Sequence, residues 1–131
     1  MMAKLEHVNI TVRNPEQTAK MLCEVFGWHV RWQGASKMGG RTVHVGTQDD
    51  YLAVYTLSGE ASQKAQPREA LAGLNHVGIE VDNLAAVEAR VKAAGYKTFF
   101  HGEFPDETPA RANFYFEDEN GIEFEVAAYR R

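Results

Sequence analysis

The chain has 131 residues, enough for one domain with a real core, and its 44% hydrophobic and 24% charged residues are ordinary for a globular protein. A net charge of −4 at pH 7 argues against nucleic acid as a partner, because phosphate binding needs a basic surface. No basic run favours a membrane surface, no apolar run approaches the ~20 residues of a membrane helix, and the N-terminus leads directly into a predicted strand rather than a signal peptide.

The first half of the chain predicts a strand, a helix and then three strands. Leu5–Val12 alternates apolar and polar residues, as a half-buried strand does. The helix begins with Asn14 as N-cap and Pro15 as its first residue, and ends at Gly27. The glycine-rich turn Gln33–Gly40 follows the first of three further predicted strands, which are Trp28–Trp32, Arg41–Thr47 and Tyr51–Leu57.

Cys23, the only cysteine, lies inside the first predicted helix. A lone cysteine excludes an internal disulfide and a cysteine-rich zinc site, and a small hydrophobic role fits it better than that of a nucleophile. A reducing, cytoplasmic setting is therefore expected.

The second half predicts the same order of elements. A polar linker covers residues 58–73, with a short helical piece at Arg68–Ala72. The elements that follow are the strand Leu74–Val81, the helix Leu84–Ala94 capped by Asp82 or Asn83, the strand Tyr96–His101, the loop Gly102–Ala110, and the strands Ala112–Glu117 and Ile122–Ala128. The last two strands are joined by an Asn-Gly turn, which is typical of a hairpin.

The two halves also repeat at the level of residues. When His7 of EHVNITVRN is set over His76 of NHVGIEVDN, the aliphatic residues of the two strands coincide. The sequence thus predicts an α+β fold of two βαβββ modules in tandem (residues 1–57 and 74–131) within one domain spanning 1–131, each with its helix on the aliphatic face of a mixed sheet.

The opposite face of each predicted sheet is too polar for a core. Its residues are His7, Asn9, Thr11, His76, Gly78, Glu80, Glu123 and Glu125. Sheets that curl around such a face form a cleft, and a cleft with histidine and glutamate predicts a metal site.

Three segments carry a resemblance to a known family: EHVNITV, NHVGIEV and, above all, FEDENGIEFEV at Phe116–Val126. They resemble the vicinal oxygen chelate superfamily of glyoxalases, extradiol dioxygenases and bleomycin resistance proteins. The resemblance implies curled sheets around a cleft and a divalent metal that acts as a Lewis acid on a small substrate chelated through neighbouring oxygens. It places the metal ligands at His7, His76 and Glu125.

The family's fourth ligand position falls on Leu52, Ala53 or Val54, none of which can bind a metal. Two histidines and one glutamate then form a facial triad with open positions, which favours Fe(II) or Mn(II) and leaves Zn(II) or Ni(II) possible. This ligand set resembles the extradiol dioxygenases most closely, although no acid/base set like theirs is identified.

Further residues are predicted around the site. His44 faces the cleft by alternation and is expected to be a second-shell or packing histidine, with a fourth ligand or an acid/base as alternatives. Trp32, Tyr55 and Tyr115 are candidates for an aromatic substrate pocket.

Three functions remain open at this point: a metal-dependent lyase or dioxygenase, a non-catalytic protein that sequesters a small molecule, as the bleomycin resistance proteins do, or a regulatory or structural remnant with an occluded cleft. The resemblance and the prevalence of twofold assemblies also imply a homodimer. In this superfamily the modules pair either within a chain or across the dimer.

Overall fold

The structure is a computed structural model and describes residues 2–37, 39–62, 68–105 and 109–130. The described residues form the predicted α+β architecture, in which a strand, a helix and three strands occur twice. The chain divides into two compact units, Met1–Gln63 (unit 1) and Lys64–Arg131 (unit 2).

Unit 1 is a mixed four-stranded sheet with one helix. Its elements are β1 (His7–Thr11), α1 (Pro15–Phe26), β2 (His29–Ala35), β3 (Arg41–Gly46) and β4 (Tyr51–Thr56). The strand order is β1-β4-β3-β2, with β1 and β4 parallel and the other pairs antiparallel.

Unit 2 repeats this topology. Its elements are β5 (Val77–Glu80), α2 (Leu84–Ala93), β6 (Thr98–Glu103), β7 (Ala110–Glu117) and β8 (Glu123–Tyr129). The strand order is β5-β8-β7-β6, again with only the β5–β8 pair parallel among the described strands.

Both helices begin at the asparagines that the sequence indicated. The Asn14 side chain accepts a hydrogen bond from the backbone N–H of Gln17 at 3.1 Å, and Pro15 follows it. Asn83 rather than Asp82 caps α2, because its side chain accepts from the N–H of Ala86 at 3.0 Å. Gly27 ends α1 with a left-handed φ of 72°, as a C-terminal glycine does.

Each helix covers the aliphatic face of its own sheet, so the core of each unit lies between them. In unit 1, Leu22 and Val25 of α1 are fully buried, as are Val45 and Val54 of the sheet. Unit 2 is filled by fully buried aromatic and aliphatic residues, namely Val91, Phe114, Phe116, Phe124 and Val126. This packing leaves the polar face of each sheet free of the helices.

One predicted element is wrong: Arg68–Ala72 forms turns and no helix. Ala72 has a φ of 64°, which a right-handed helix cannot contain, and Leu71 is 99% exposed, so no apolar face would stabilise so short a helix. Strand ends also differ. β2 continues to Ala35, and β6 includes Gly102, which had been assigned to the following loop. Part of that loop (residues 106–108) lies outside the described residues.

No helix within the described residues is both long and apolar enough to cross a membrane.

Candidate functional site

The polar face of unit 2 brings together two of the three predicted metal ligands. His76 precedes β5 directly, and Glu125 lies on β8 opposite Gly78 of β5. The Nε2 atom of His76 is 3.0 Å from Oε1 of Glu125. Both side chains are partly buried, with 31% and 24% of their surface exposed, so solvent reaches the pair without surrounding it.

Two residues of β7 hold the Glu125 carboxylate from the other side. Asn113, which is buried, donates from Nδ2 to Oε2 of Glu125 at 2.8 Å. Tyr115 is the cross-strand partner of Glu125 and contacts the His76 ring edge-on at 5.5 Å between centroids. Burial raises the pKa of Tyr115, and the charge and hydrogen bond of Glu125 raise it further, so the phenol keeps its proton at neutral pH.

The residue before His76 sets the tautomer of its ring. Oδ1 of Asn75 lies 2.7 Å from Nδ1 of His76, so Nδ1 carries the proton and donates it. In the neutral ring Nε2 then carries a lone pair, which faces a carboxylate oxygen 3.0 Å away. Two lone pairs at this distance repel unless a cation, either a proton or a metal ion, lies between them.

The spacing of the pair fits a divalent ion. Nε2 of His76 and Oε1 of Glu125 are 3.0 Å apart, close enough for one divalent ion to contact both atoms. Imidazole and carboxylate are also the ligand types that Mn(II), Fe(II) and Zn(II) accept. The residues present therefore fit such an ion.

In unit 1 the residue before His7 sets the tautomer of the His7 ring in the same way. Nδ1 of His7 lies 2.6 Å from Oε1 of Glu6, the residue before it, and donates its hydrogen to that oxygen. Nε2 of His7 therefore carries the lone pair of the ring. This hydrogen bond is the main reason why the pKa of Glu6 is lowered, with the charges of His7, Arg31 and His44 adding to it. Glu6 and Asn75 occupy equivalent positions before the two repeated histidines.

Aromatic rings surround His7 on the polar face of unit 1. The His7 ring stacks on Tyr51 of β4 at 4.9 Å, and Tyr51 stacks on His44 of β3 at 4.6 Å. Trp32 of β2 meets His44 at 5.2 Å. Burial lowers the pKa of His44, and the nearby His7 and Arg31 lower it further, so the imidazole is neutral at neutral pH.

Strand register identifies the residue of unit 1 that corresponds to Glu125. Glu125 lies opposite Gly78, and the equivalent of Gly78 in unit 1 is Asn9, whose partner is Ala53. Ala53 is therefore the counterpart of Glu125, where the sequence alone left three choices. By the same registers His44 is the counterpart of Tyr115, since each pairs with that position.

The predicted residues thus fall into two groups. His76, Glu125 and Tyr115 meet in unit 2, while His7, His44 and Trp32 meet in unit 1. Tyr55 is four residues along β4 from Tyr51, about 13 Å away, and so does not join the stack around His7. Among the described residues, neither unit has three metal-ligating side chains close enough together to hold one metal ion.

Sequence reasoning missed the residues that support these groups. Glu6 and Asn75 could have been found, because the repeat alignment places both directly before a histidine. Tyr51 and Asn113 depend on strand register, which alternation does not reveal.

The comparisons with known proteins agree with the fold. A family model described as the Glyoxalase/Bleomycin resistance protein/Dioxygenase superfamily matches residues 4–126. A search of curated proteins found no match.

Among solved structures, a glyoxylase/bleomycin resistance protein/dioxygenase domain from Frankia sp. EAN1pec has a TM-score of 0.81 at 19% identity, over 100% of this chain and 95% of that one. The fosfomycin resistance protein FosX from Listeria monocytogenes has a TM-score of 0.72 at 18% identity, over 99% and 96% of the two chains. A FosX mutant complexed with Mn(II) and 1S,2S-dihydroxypropylphosphonic acid gives 0.73 at 17% identity, over 99% and 93%. Similarity at these identities shows the fold alone.

Proposed function

Because the chain belongs to the glyoxalase/bleomycin resistance protein/dioxygenase superfamily, we propose that it is a small metal-dependent enzyme whose divalent ion is held by His7, His76 and Glu125. The observation that carries the proposal is the pair formed by Nε2 of His76 and Oε1 of Glu125, whose spacing and lone pairs suit a cation. His7 supports it, since its Nε2 is kept free by Glu6 in the equivalent way.

His7, His76 and Glu125 would hold the ion, which would supply Lewis acidity toward a small substrate with two neighbouring oxygens. Asn113 fixes the carboxylate plane of Glu125, and the acceptors Asn75 and Glu6 fix the tautomer of the two histidines. His44 is neutral at neutral pH, so its role in the proposal is to accept a proton from bound substrate.

The absence of a fourth protein ligand supports the choice of metal. Ala53 stands where a fourth ligand would be, so two histidines and one carboxylate leave positions for substrate oxygens, as in the facial triads that prefer Fe(II). Mn(II), which is present in a FosX complex, is equally favoured here, with Zn(II) and Ni(II) as alternatives.

The proposal includes the setting of the enzyme. Both units together make one functional domain, the protein is a cytoplasmic homodimer, and its partner is a small molecule. His7 is contributed either by the same chain as His76 or by the other chain of the dimer. Sedimentation equilibrium tests the assembly, and a monomer at micromolar concentration would contradict the dimer and require pairing within the chain.

Calorimetric titration of metal-free protein with Mn(II), and anaerobically with Fe(II), tests the metal site. We expect one ion per chain and a loss of at least 100-fold in affinity for Glu125→Gln. The matched control is Glu123→Gln. Glu123 is also a glutamate of β8, but it pairs with Arg68 at 2.5 Å, so its loss should leave metal affinity unchanged. Failure of the native protein to bind any divalent metal would overturn the proposal and favour a sequestering protein.

A further inference from the structure

Arg31 and its neighbour Trp32 both lie on the same face of unit 1 as His7, because their strand is irregular between Val30 and Trp32. The pairing of β2 with β3 shifts register between Val30 and Trp32, which is where Arg31 lies. Consecutive strand residues normally point to opposite faces, but a bulge re-aims a side chain. As a result, the Arg31 guanidinium lies over the Tyr51 ring, with Cζ 4.5 Å from the centroid, while Trp32 reaches His44 on the same face.

Arg31 has no carboxylate of the described residues within ion-pair distance, unlike Arg41 and Arg68. Arg41 is paired with Glu16 at 2.8 Å and Arg68 with Glu123 at 2.5 Å, and Arg130 donates to backbone carbonyls of Phe104 and Ala110. None of the ion pairs found among the described residues involves Arg31. Stacking on Tyr51 therefore fixes the guanidinium while its N–H groups stay available to a ligand.

The surroundings of Arg31 define what that ligand can be. Glu6 carries the nearby negative charge, but its Oε1 is engaged by His7. The guanidinium fork matches a carboxylate in a bidentate manner. The Trp32 side chain, 51% exposed, offers a flat apolar surface beside it.

We propose that Arg31 binds the carboxylate of the substrate, and that the substrate class is a small acid with a second oxygen on the neighbouring carbon, an α-oxo or α-hydroxy acid. The inference rests on the proposed function, in which the metal ion would bind the two neighbouring oxygens of the substrate. His7 and Arg31 both contact the Tyr51 ring, at 4.9 Å and 4.5 Å from its centroid, so a carboxylate on Arg31 would lie near the histidine of the proposed metal site.

The test is a titration of the protein with pyruvate and with pyruvamide, its neutral analogue, followed through the indole N–H resonance of Trp32. Metal-free protein and Zn(II)-loaded protein are compared, since Zn(II) is diamagnetic. In both states we expect pyruvate to shift the Trp32 resonance and pyruvamide to bind at least 10-fold more weakly. Arg31→Gln should weaken pyruvate binding by about 10- to 100-fold, and Arg31→Lys by less, because lysine keeps the charge without the fork.

The matched control is Arg41→Gln, which removes an arginine of the neighbouring strand β3 that is already paired with Glu16. It should leave pyruvate affinity unchanged. Unchanged affinity in Arg31→Gln, equal binding of the two ligands, or no pyruvate binding by the native protein would each overturn the inference. If binding depends on Arg31 but the protein binds no Zn(II) or any other divalent metal, the carboxylate site stands and the proposed function fails.

Discussion

Asn113→Ala is expected to weaken metal binding without contact between Asn113 and the ion. The Nδ2 atom of Asn113 donates at 2.8 Å to Oε2 of Glu125, the oxygen that does not face His76. A hydrogen bond to a charged group contributes roughly 1.5–3 kcal/mol, and Asn113 is 7% exposed, so little water would replace the donor. Since 1.4 kcal/mol corresponds to about tenfold in affinity, Mn(II) binding should weaken by about 10- to 100-fold.

Thr42→Val is the matched control for this prediction. Thr42 pairs with Tyr55 as Asn113 pairs with Ala127, so it is the counterpart of Asn113 in unit 1. Its buried hydroxyl has no hydrogen-bond partner among the described residues, and valine has nearly the same shape. The variant should keep its Mn(II) affinity in calorimetry and gain up to about 1 kcal/mol in urea unfolding. Equal Mn(II) affinity in Asn113→Ala and the native protein would refute the reasoning.

Three further predictions concern unit 2. Gly102→Ala should lower Mn(II) affinity in calorimetry with little loss of stability, because its Cβ would lie 2.7 Å from Oδ1 of Asn113, the mobile end of that side chain. Phe100→Gly should change the free energy of unfolding by less than about 1 kcal/mol, since relief of a φ of 52° offsets the flexibility of glycine and the ring is 64% exposed; a loss above ~2 kcal/mol would contradict this. Hydrogen bonding to His101 lowers the pKa of Glu88 below its ordinary 4.5, so the stability that the ionised Glu88 contributes is lost as the pH falls below 4.5. Glu88→Gln should therefore reduce the drop in the urea unfolding midpoint between pH ~5.5 and ~3.5. An unchanged drop would show that the Glu88–His101 pair does not contribute to the pH dependence of stability.

Alternation and repetition were enough to predict most of the fold. The period of two in Leu5–Val12 and Leu74–Val81, with an asparagine after each strand, predicted two matched strands and two capped helices, and the structure confirms them. Arg68–Ala72 was misassigned because short polar segments carry no periodicity that separates turns from a helix.

Sequence patterns alone could not identify the residues that support the site. The alternation of β8 places Glu125 on the polar face, but only the β7–β8 register shows that Tyr115 lies opposite and Asn113 within reach. Likewise the neighbours Arg31 and Trp32 would face opposite sides of a regular strand, and only the bulge in β2 lets one reach Tyr51 and the other His44 on the same face.

A crystal structure of the Mn(II)-loaded protein, with anomalous diffraction to locate the ion, tests the proposed site most directly. The account predicts one anomalous peak per chain, at ~2.0–2.2 Å from Nε2 of His7, Nε2 of His76 and Oε1 of Glu125, with the remaining positions open to water or substrate. A peak that His7 does not contact, or an ion held by other side chains while His76 and Glu125 keep their 3.0 Å contact, would contradict it.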